Sequence, residues 1–377
     1  MSEINTTEEF DQFIRKTQDG NDRTNIKLID SIINIEVDFN RTSFNIVEIY
    51  NCEFNSAVKF ILSNFTKEVK IIKCVFNKEV DFYNSIFENK ARFHETEFKN
   101  NISLNNVIFK DLADFWSAQF HFKTIFYKTD FLGTTVFSTT IFHKNVLFTY
   151  SLIDKIIIFR GTEFKEGLDL AVSILSGNLS PFDIRIEDYE SENDVNNDKV
   201  YEDYISNKGI IVNKNKRETF RILKTYFLKN NNSIDYLKYS TLEQKTYQVQ
   251  LKSKVSKNLM IKKHIEDYII LGLNYISNRH GKSFMWGISF TFIVGFIFFY
   301  FSLIATENFS FGFKEMKWKV FYKSVKYYFT FMTPTHKVNY LDAEKPKTFF
   351  YIWDFVGRAF VAYGIYQTVQ AFRKFKK

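Results

Sequence analysis

Two charges interrupt an otherwise apolar run near the C-terminus: Asp354 and Arg358 in TFFYIWDFVGRAFVAYGIYQTVQAF, residues 348–372. Set four residues apart, a carboxylate and a guanidinium share one helix face and can neutralise each other where neither would be tolerated alone. Such a pair either ties a helix interface together or lines an ion path, and the structural pair is the plainer reading. The other reactive residues are sparse. Cys52 and Cys74, 22 positions apart, are too few for a disulfide framework, lack the further ligands zinc needs, and read as small core side chains. The six histidines show no ligand spacing, and there is no phosphate-cradling glycine loop, no H-E-x-x-H and no G-x-S-x-G. The expectation is a non-enzyme without cofactor or metal.

The elements that must hold the charged pair are helices. Residues 283–306 carry no charge, and 24 helical residues span about 36 Å against a hydrocarbon core of about 30 Å. This predicts a transmembrane helix, with 348–372 as a second. Arg279, His280 and Lys282 before the first, and RKFKK at the end, place both termini on the cytoplasmic side of an inner membrane. The eight lysines of the intervening loop run against that tendency. Within the loop, 317–333 predicts an amphipathic helix, interfacial or partly re-entrant, with Trp318, Phe321, Tyr322, Val325, Tyr328, Phe329 and Met332 on one stripe and Lys319, Lys323 and Lys326 on another.

Preceding the helices, residues 214–263 hold 13 Lys and Arg against 3 acids, while 183–203 hold 2 against 9. The acidic stretch predicts a mobile linker (181–212). The basic stretch predicts a helical neck (213–280): Phe220, Leu223 and Phe227 share a face, Asn230 to Asn232 break the run, and a second helix follows. Its charge suits anionic lipid headgroups or a solvated face better than nucleic acid.

The N-terminal half is governed by repetition. With 45 Phe in 377 residues, one column runs Phe54, Phe65, Phe76, Phe87, Phe98, Phe109, Phe120, Phe131, Phe142, Ile153 and Phe164. A second runs Ile49, Phe60, Ile71, Phe82, Phe93, Leu104, Phe115, Phe126, Phe137, Phe148, Phe159 and Leu170. Each repeats every 11 residues, and gaps between the columns alternate six and five, a spacing that fits neither a helix nor a simple strand. Two positions before each large residue stands a smaller one, such as Cys52, Ser63, Cys74, Ser85, Val58 or Ala91. Four short sides of five, six, five and six residues give a 22-residue coil over 36–180, stacked as parallel sheets, with Cys52 and Cys74 as neighbours in adjacent coils and residues 1–35 as a cap.

This pattern resembles the pentapeptide-repeat proteins in their five/six-residue variant, although the Asp or Asn usual before the central residue is often replaced, as by Lys59 or Arg92. The resemblance implies a right-handed quadrilateral parallel β-helix with Phe along its axis. Arg221, Leu223, Lys224, Asn231, Tyr239 and Glu243 resemble the segment that joins repeat to membrane in membrane-bound members. The stretches Ser277–Ser283 and Tyr366–Phe375 look like the flanks of two-helix, ion-channel-like ends. Where a potassium channel would carry T-V-G-Y-G, this chain has Thr330-Phe331-Met332-Thr333-Pro334-Thr335, so potassium selectivity of the carbonyl-ring type is unsupported.

The solenoid is nearly neutral, 16 basic against 17 acidic residues over 36–175, which gives DNA mimicry little electrostatic support. The expected protein is a bacterial inner-membrane homo-oligomer in which a cytoplasmic solenoid docks a protein partner and is coupled to a pore, with Asp354, Arg358, Thr330, Thr333, Pro334 and Thr335 as pore candidates. A membrane-anchored scaffold without conduction is the alternative; a membrane effector in phage defence is suggested by the architecture alone.

Overall fold

The computed structural model describes residues 2–16, 24–256, 262–307 and 318–373; the lysine-rich tail after 373, residues 257–261 of the neck and the stretch 308–317 lie outside the described residues. The chain divides into two compact units, Met1–Tyr226 and Phe227–Lys377.

The first unit is a parallel β-solenoid of about seven turns. Each coil contributes short strands to four walls. In one coil these are Val69–Ile72, Val75–Phe76, Val80–Asp81 and Ile86–Phe87. Register advances by 22 residues, as in Val69↔Ala91, Phe76↔Phe98, Val80↔Ile102 and Phe87↔Phe109. The first coil is one residue shorter, pairing Ile33 with Phe54 and Val37 with Val58. The 11-residue columns therefore each split between two walls, and like residues stack on like at 22. Phe54 lies on Phe76 with ring centroids 4.8 Å apart and planes 8° apart, and Phe65 on Phe87 at 4.4 Å and 5°. Phe60–Phe82 (5.0 Å) and Phe93–Phe115 (4.9 Å) form the other two stacks.

The alternation of five and six has a backbone cause. Each five-residue gap crosses a tight turn such as Phe82–Ser85, closed by Ser85 N–H donating to Phe82 O at 3.1 Å, with Asn84 in third place at φ 60°. A positive φ there is the mark of a type II turn. The same conformation recurs every 11 residues at Leu62, Lys73, Asn84, Glu95, Asn106, Ser117, Lys128, Thr139 and Tyr150, then at Gly161. Six-residue gaps cross the two corners that lack it. Lys59 and Arg92, where the repeat departs from its usual Asp or Asn, point outward and pair with Glu36 and Glu68 in neighbouring coils.

The small residues do more than leave room for rings. Ser85, Thr96, Thr129, Thr140, Ser151 and Thr162 each donate a hydroxyl to the carbonyl 25 residues earlier, Thr129 to Leu104 O at 2.7 Å for example. That carbonyl opens the turn of the coil below, so the buried hydroxyl and the buried carbonyl satisfy each other.

Residues expected as a cap and as a linker are part of this unit. Ser2–Ile4 pairs with Ser31–Ile33 and extends one wall, and helix α1, Thr7–Lys16, follows it. The acidic segment is folded, correcting its reading as a mobile linker. Arg185–Ile186 adds a strand, Asn197 caps helix α2 (Asp198–Asp203), and Tyr189, Ile205, Ile211 and Val212 are buried. The charges face outward while irregularly spaced apolar residues turn in, so neither helical nor strand period shows. Helix α3, Asn213–Lys229, seals the solenoid's last coil: buried Asp169 accepts from Asn215 Nδ2 at 2.7 Å, Thr219 Oγ1 accepts from Leu170 N–H, and Lys216 donates to Tyr189 O. Burial raises the Asp169 carboxyl above its usual range.

The second unit is helical: α4 (Ser233–Ser256), α5 (Lys262–Asn278), α6 (Phe284–Ile304), α7 (Trp318–Phe331), a 3₁₀ segment (Val338–Glu344) and α8 (Thr348–Phe372). The break at Asn230–Asn232 falls as expected, and Tyr239 stacks on Phe227 at 5.4 Å. The neck continues into a third helix, α5.

Candidate functional site

The site is built on the α6–α8 pair. Small residues let the helices touch: a Cβ on Gly364 would lie 2.3 Å from Thr291 Oγ1, and one on Gly287 would lie 2.7 Å from Thr368 Oγ1. Glycines spaced so that backbones can approach are the usual device of helix packing without a hydrophobic drive between helices. Phe284 stacks on Phe372 at one end, and Thr306 pairs with Pro346 at the other, so the helices run antiparallel.

Helix α7 enters between them and stops halfway. Its Tyr328 hydroxyl donates to Phe292 O at 2.8 Å; Phe331 fills the space beside Gly357; and Met332 lies against Gly295, the twelfth of the 21 residues of α6. The chain then turns at 333–337 and returns through the 3₁₀ segment, where Glu307 N–H donates to Glu344 O. The predicted apolar stripe of α7 divides between exposed and packed positions. Tyr322 and Phe329 are exposed, whereas Tyr327, Tyr328, Phe331 and Met332 pack on Phe299, Leu303, Leu341, Phe350 and Val361. Phe331, absent from the predicted stripe, is fully buried because Gly357 makes room for its ring. The side chains of Trp318, Lys319 and Phe321 lie outside the described residues.

At the turn, three ionisable side chains meet. Arg358 Nη2 donates to Asp354 Oδ2 at 2.5 Å, the expected i, i+4 pair, and His336 Nε2 lies 2.9 Å from Asp354 Oδ1. Asp354 and His336 are both buried. The His336 Nδ1 lies 2.7 Å from Thr333 O. One imidazole and one guanidinium therefore sit on a single carboxylate. This arrangement fastens the turn between α7 and the 3₁₀ segment to α8, and it removes the electrostatic cost of a lone buried Asp.

The remaining candidates divide. Thr330 and Thr333 line an open recess of about 620 Å³ beside His336, with Lys326, Phe329, Lys337, Asn339 and Tyr340. Their hydroxyls are turned to the helix backbone, Thr330 Oγ1 donating to Lys326 O at 2.9 Å. Pro334 and Thr335 occupy the turn and do not join the charged cluster. His336 was missed by sequence reasoning; the available signal was Asp354 itself, since a buried carboxylate with two oxygens needs more than one donor.

A second polar cluster joins α5 to α8. Asn278 Nδ2 donates to Gln367 Oε1 at 2.5 Å and to Gln367 O at 3.0 Å, and Asn274 Oδ1 accepts from Gln367 Nε2 and the Tyr363 hydroxyl. The two flanking stretches, Ser277–Ser283 and Tyr366–Phe375, thus meet through Asn278 and Gln367. Between α5 and α6, Arg279, His280 and Gly281 all have positive φ. Among the described residues the buried His280 ring has no hydrogen-bond partner on either nitrogen, and burial, with Lys245 nearby, holds it down to about 4.

On the solenoid, Cys52 and Cys74 are free and buried in adjacent coils, and burial pushes their thiols up to about 11 and about 12, which makes them poor nucleophiles. Outside, Asn77 Nδ2 donates to Asn55 Oδ1 at 2.6 Å and Asn55 Nδ2 to Asn34 Oδ1 at 2.8 Å. Further along the same column the rings of His121 and His143 stack 4.1 Å apart. Among the described residues no group of three His, Cys, Asp or Glu is placed to hold a metal.

The profile of the family described as pentapeptide repeats (9 copies) matches residues 71–119. The solenoid carries pentapeptide repeats. No curated protein and no solved structure matches the chain. Among the described residues one helix, α6, is long and apolar enough to cross a membrane.

Proposed function

We propose that α6 and α8 both cross a membrane, that α7 re-enters between them, and that several copies gather around an aqueous path governed by a protein docked on the pentapeptide-repeat solenoid. The observation that carries this reading is inverted polarity. Asp354, His336, Gln367 and Asn278 face inward, while Phe292, Ile293, Phe296, Ile352, Phe355 and Ile365 face out. Water would reward the opposite arrangement; hydrocarbon rewards this one. Lipid is the first partner on this reading, and the solenoid lies on the cytoplasmic side of an inner membrane. Two spanning helices per chain cannot enclose a path alone, so conduction belongs to the homo-oligomer.

The second reading is a membrane-anchored interaction scaffold, favoured by the solenoid's ladders of outward side chains repeated at coil spacing. Replacing 281–377 with an unrelated two-helix anchor separates the two. Loss of vesicle ion flux and of cellular activity supports the pore; full retention of activity supports the scaffold.

A further inference from the structure

The recess beside His336 carries charge within the length of the α6–α8 pair. Helix α6 is about 31 Å long at 1.5 Å per residue, and the α7 turn meets it near the middle, at Gly295. Lys326, on α7 before that point, and Lys337, next to the His336 that meets Asp354 on α8, are exposed on the recess, which also holds Thr330, Thr333, Asn339 and Tyr340. Among the described residues no Asp or Glu lines it. Asp354 is buried and already held by His336 and Arg358, and Glu344 is bound to Lys323; Asp342, on the same 3₁₀ segment as Asn339, is exposed but does not line the recess. The Tyr340 hydroxyl is buried, with no hydrogen-bond partner among the described residues. Helix α6, packed behind, brings no charged residue.

We propose that this wall faces water shared with further copies of the chain, and that it accepts small inorganic anions: the Lys326 and Lys337 ammonium groups set the sign, and the Asn339 amide supplies a neutral donor. The inference rests on the membrane placement proposed above and adds to it the sign of the permeant ion. Charged side chains within the length of a spanning helix pair face a bundle interior or a water-filled cavity, and lysine rings are the usual lining of anion paths.

The test uses the full chain in liposomes with Thr333→Cys, or Asn339→Cys as a second position on the same wall; Cys52 and Cys74 are buried. Anionic and cationic methanethiosulfonates of similar size are applied, each rate normalised to its reaction with 2-mercaptoethanol. The anionic reagent should react at least about tenfold faster, the lower end of what a focused field gives, and Lys326→Gln with Lys337→Gln should bring the ratio towards one. A faster cationic reagent, no reaction with either, or a ratio unmoved by the double substitution overturns the proposal. A protein that passes no current but keeps the ratio loses the pore and retains this site; a conducting protein without the ratio does the reverse.

Discussion

His336, in the turn that ends α7, and Asp354, on α8, meet through Nε2 and Oδ1 at 2.9 Å, and the carboxylate's other oxygen is held by Arg358. A turn that reaches the middle of a helix pair is thereby fixed by one carboxylate. Asp354→Asn leaves the Arg358 guanidinium without its counter-charge and weakens the His336 contact, and should cost about 3–5 kcal/mol of stability. His336→Phe should cost less, about 1–3 kcal/mol, through the unmet Asp354 oxygen. Unfolding of the detergent-solubilised protein checks both, and equal effects would show that the carboxylate is not the hub.

The α6–α8 contact should be sensitive to single methyl groups. Gly364→Val places carbon against Thr291, where even a Cβ would stand 2.3 Å from Oγ1, and should destabilise the unit by about 1–3 kcal/mol. Gly272, whose added Cβ would meet nothing, serves as the control: Gly272→Ala should be neutral or slightly stabilising in the same assay.

In the solenoid, two glycines of different kinds should behave oppositely. A Cβ on Gly133 would stand 2.2 Å from the Asp111 carbonyl oxygen of the coil below, so Gly133→Ala should cost about 2 kcal/mol or more because backbone must move. Gly161 shares its positive φ with non-glycine residues at the equivalent turns before it, Tyr150 and Thr139, and has ordinary space around it. Gly161→Asn should stay within about 1 kcal/mol, since Asn tolerates the left-handed region. Urea midpoints of the two variants give the comparison.

Acid should weaken the solenoid at the histidine stack. Burial, then His121 and Lys165, hold His143 below its ordinary value of 6.5. A histidine depressed in the folded state contributes stability above its unfolded value, and that contribution is lost as pH falls below it. The urea midpoint should therefore drop between neutral pH and pH 5, and His143→Gln should flatten the drop. An unchanged slope in the variant would assign acid sensitivity elsewhere.

How much of this was legible in the residues follows from how local each demand is. The coil could be read because every turn repeats the same requirement for a large apolar residue and a smaller partner two positions before it, met by Phe82 with Val80 and, one coil on, by Leu104 with Ile102. That Thr129 and Thr140 are donors was hidden, since their carbonyls lie 25 residues back in another coil. Asp354 and Arg358 declared themselves by i, i+4 spacing; a lone histidine in a turn, 18 residues from its partner, did not. Periodicity put Tyr322 and Phe329 on one apolar stripe of α7, and the absent side chain of Gly357 drew Phe331, outside that stripe, into the packing. Composition marked 183–203 as unstructured because its nine acids outnumber the few apolar residues that anchor it.

The central claim is that copies of this chain cover the polar face of the α7 turn around a shared path. Mass measurement of the full chain released from lipid nanodiscs of increasing size tests it most directly. A closed assembly with the same number of chains, more than one, is expected across sizes and should be lost when α6–α8 is replaced; a monomer in every nanodisc would rule the shared path out.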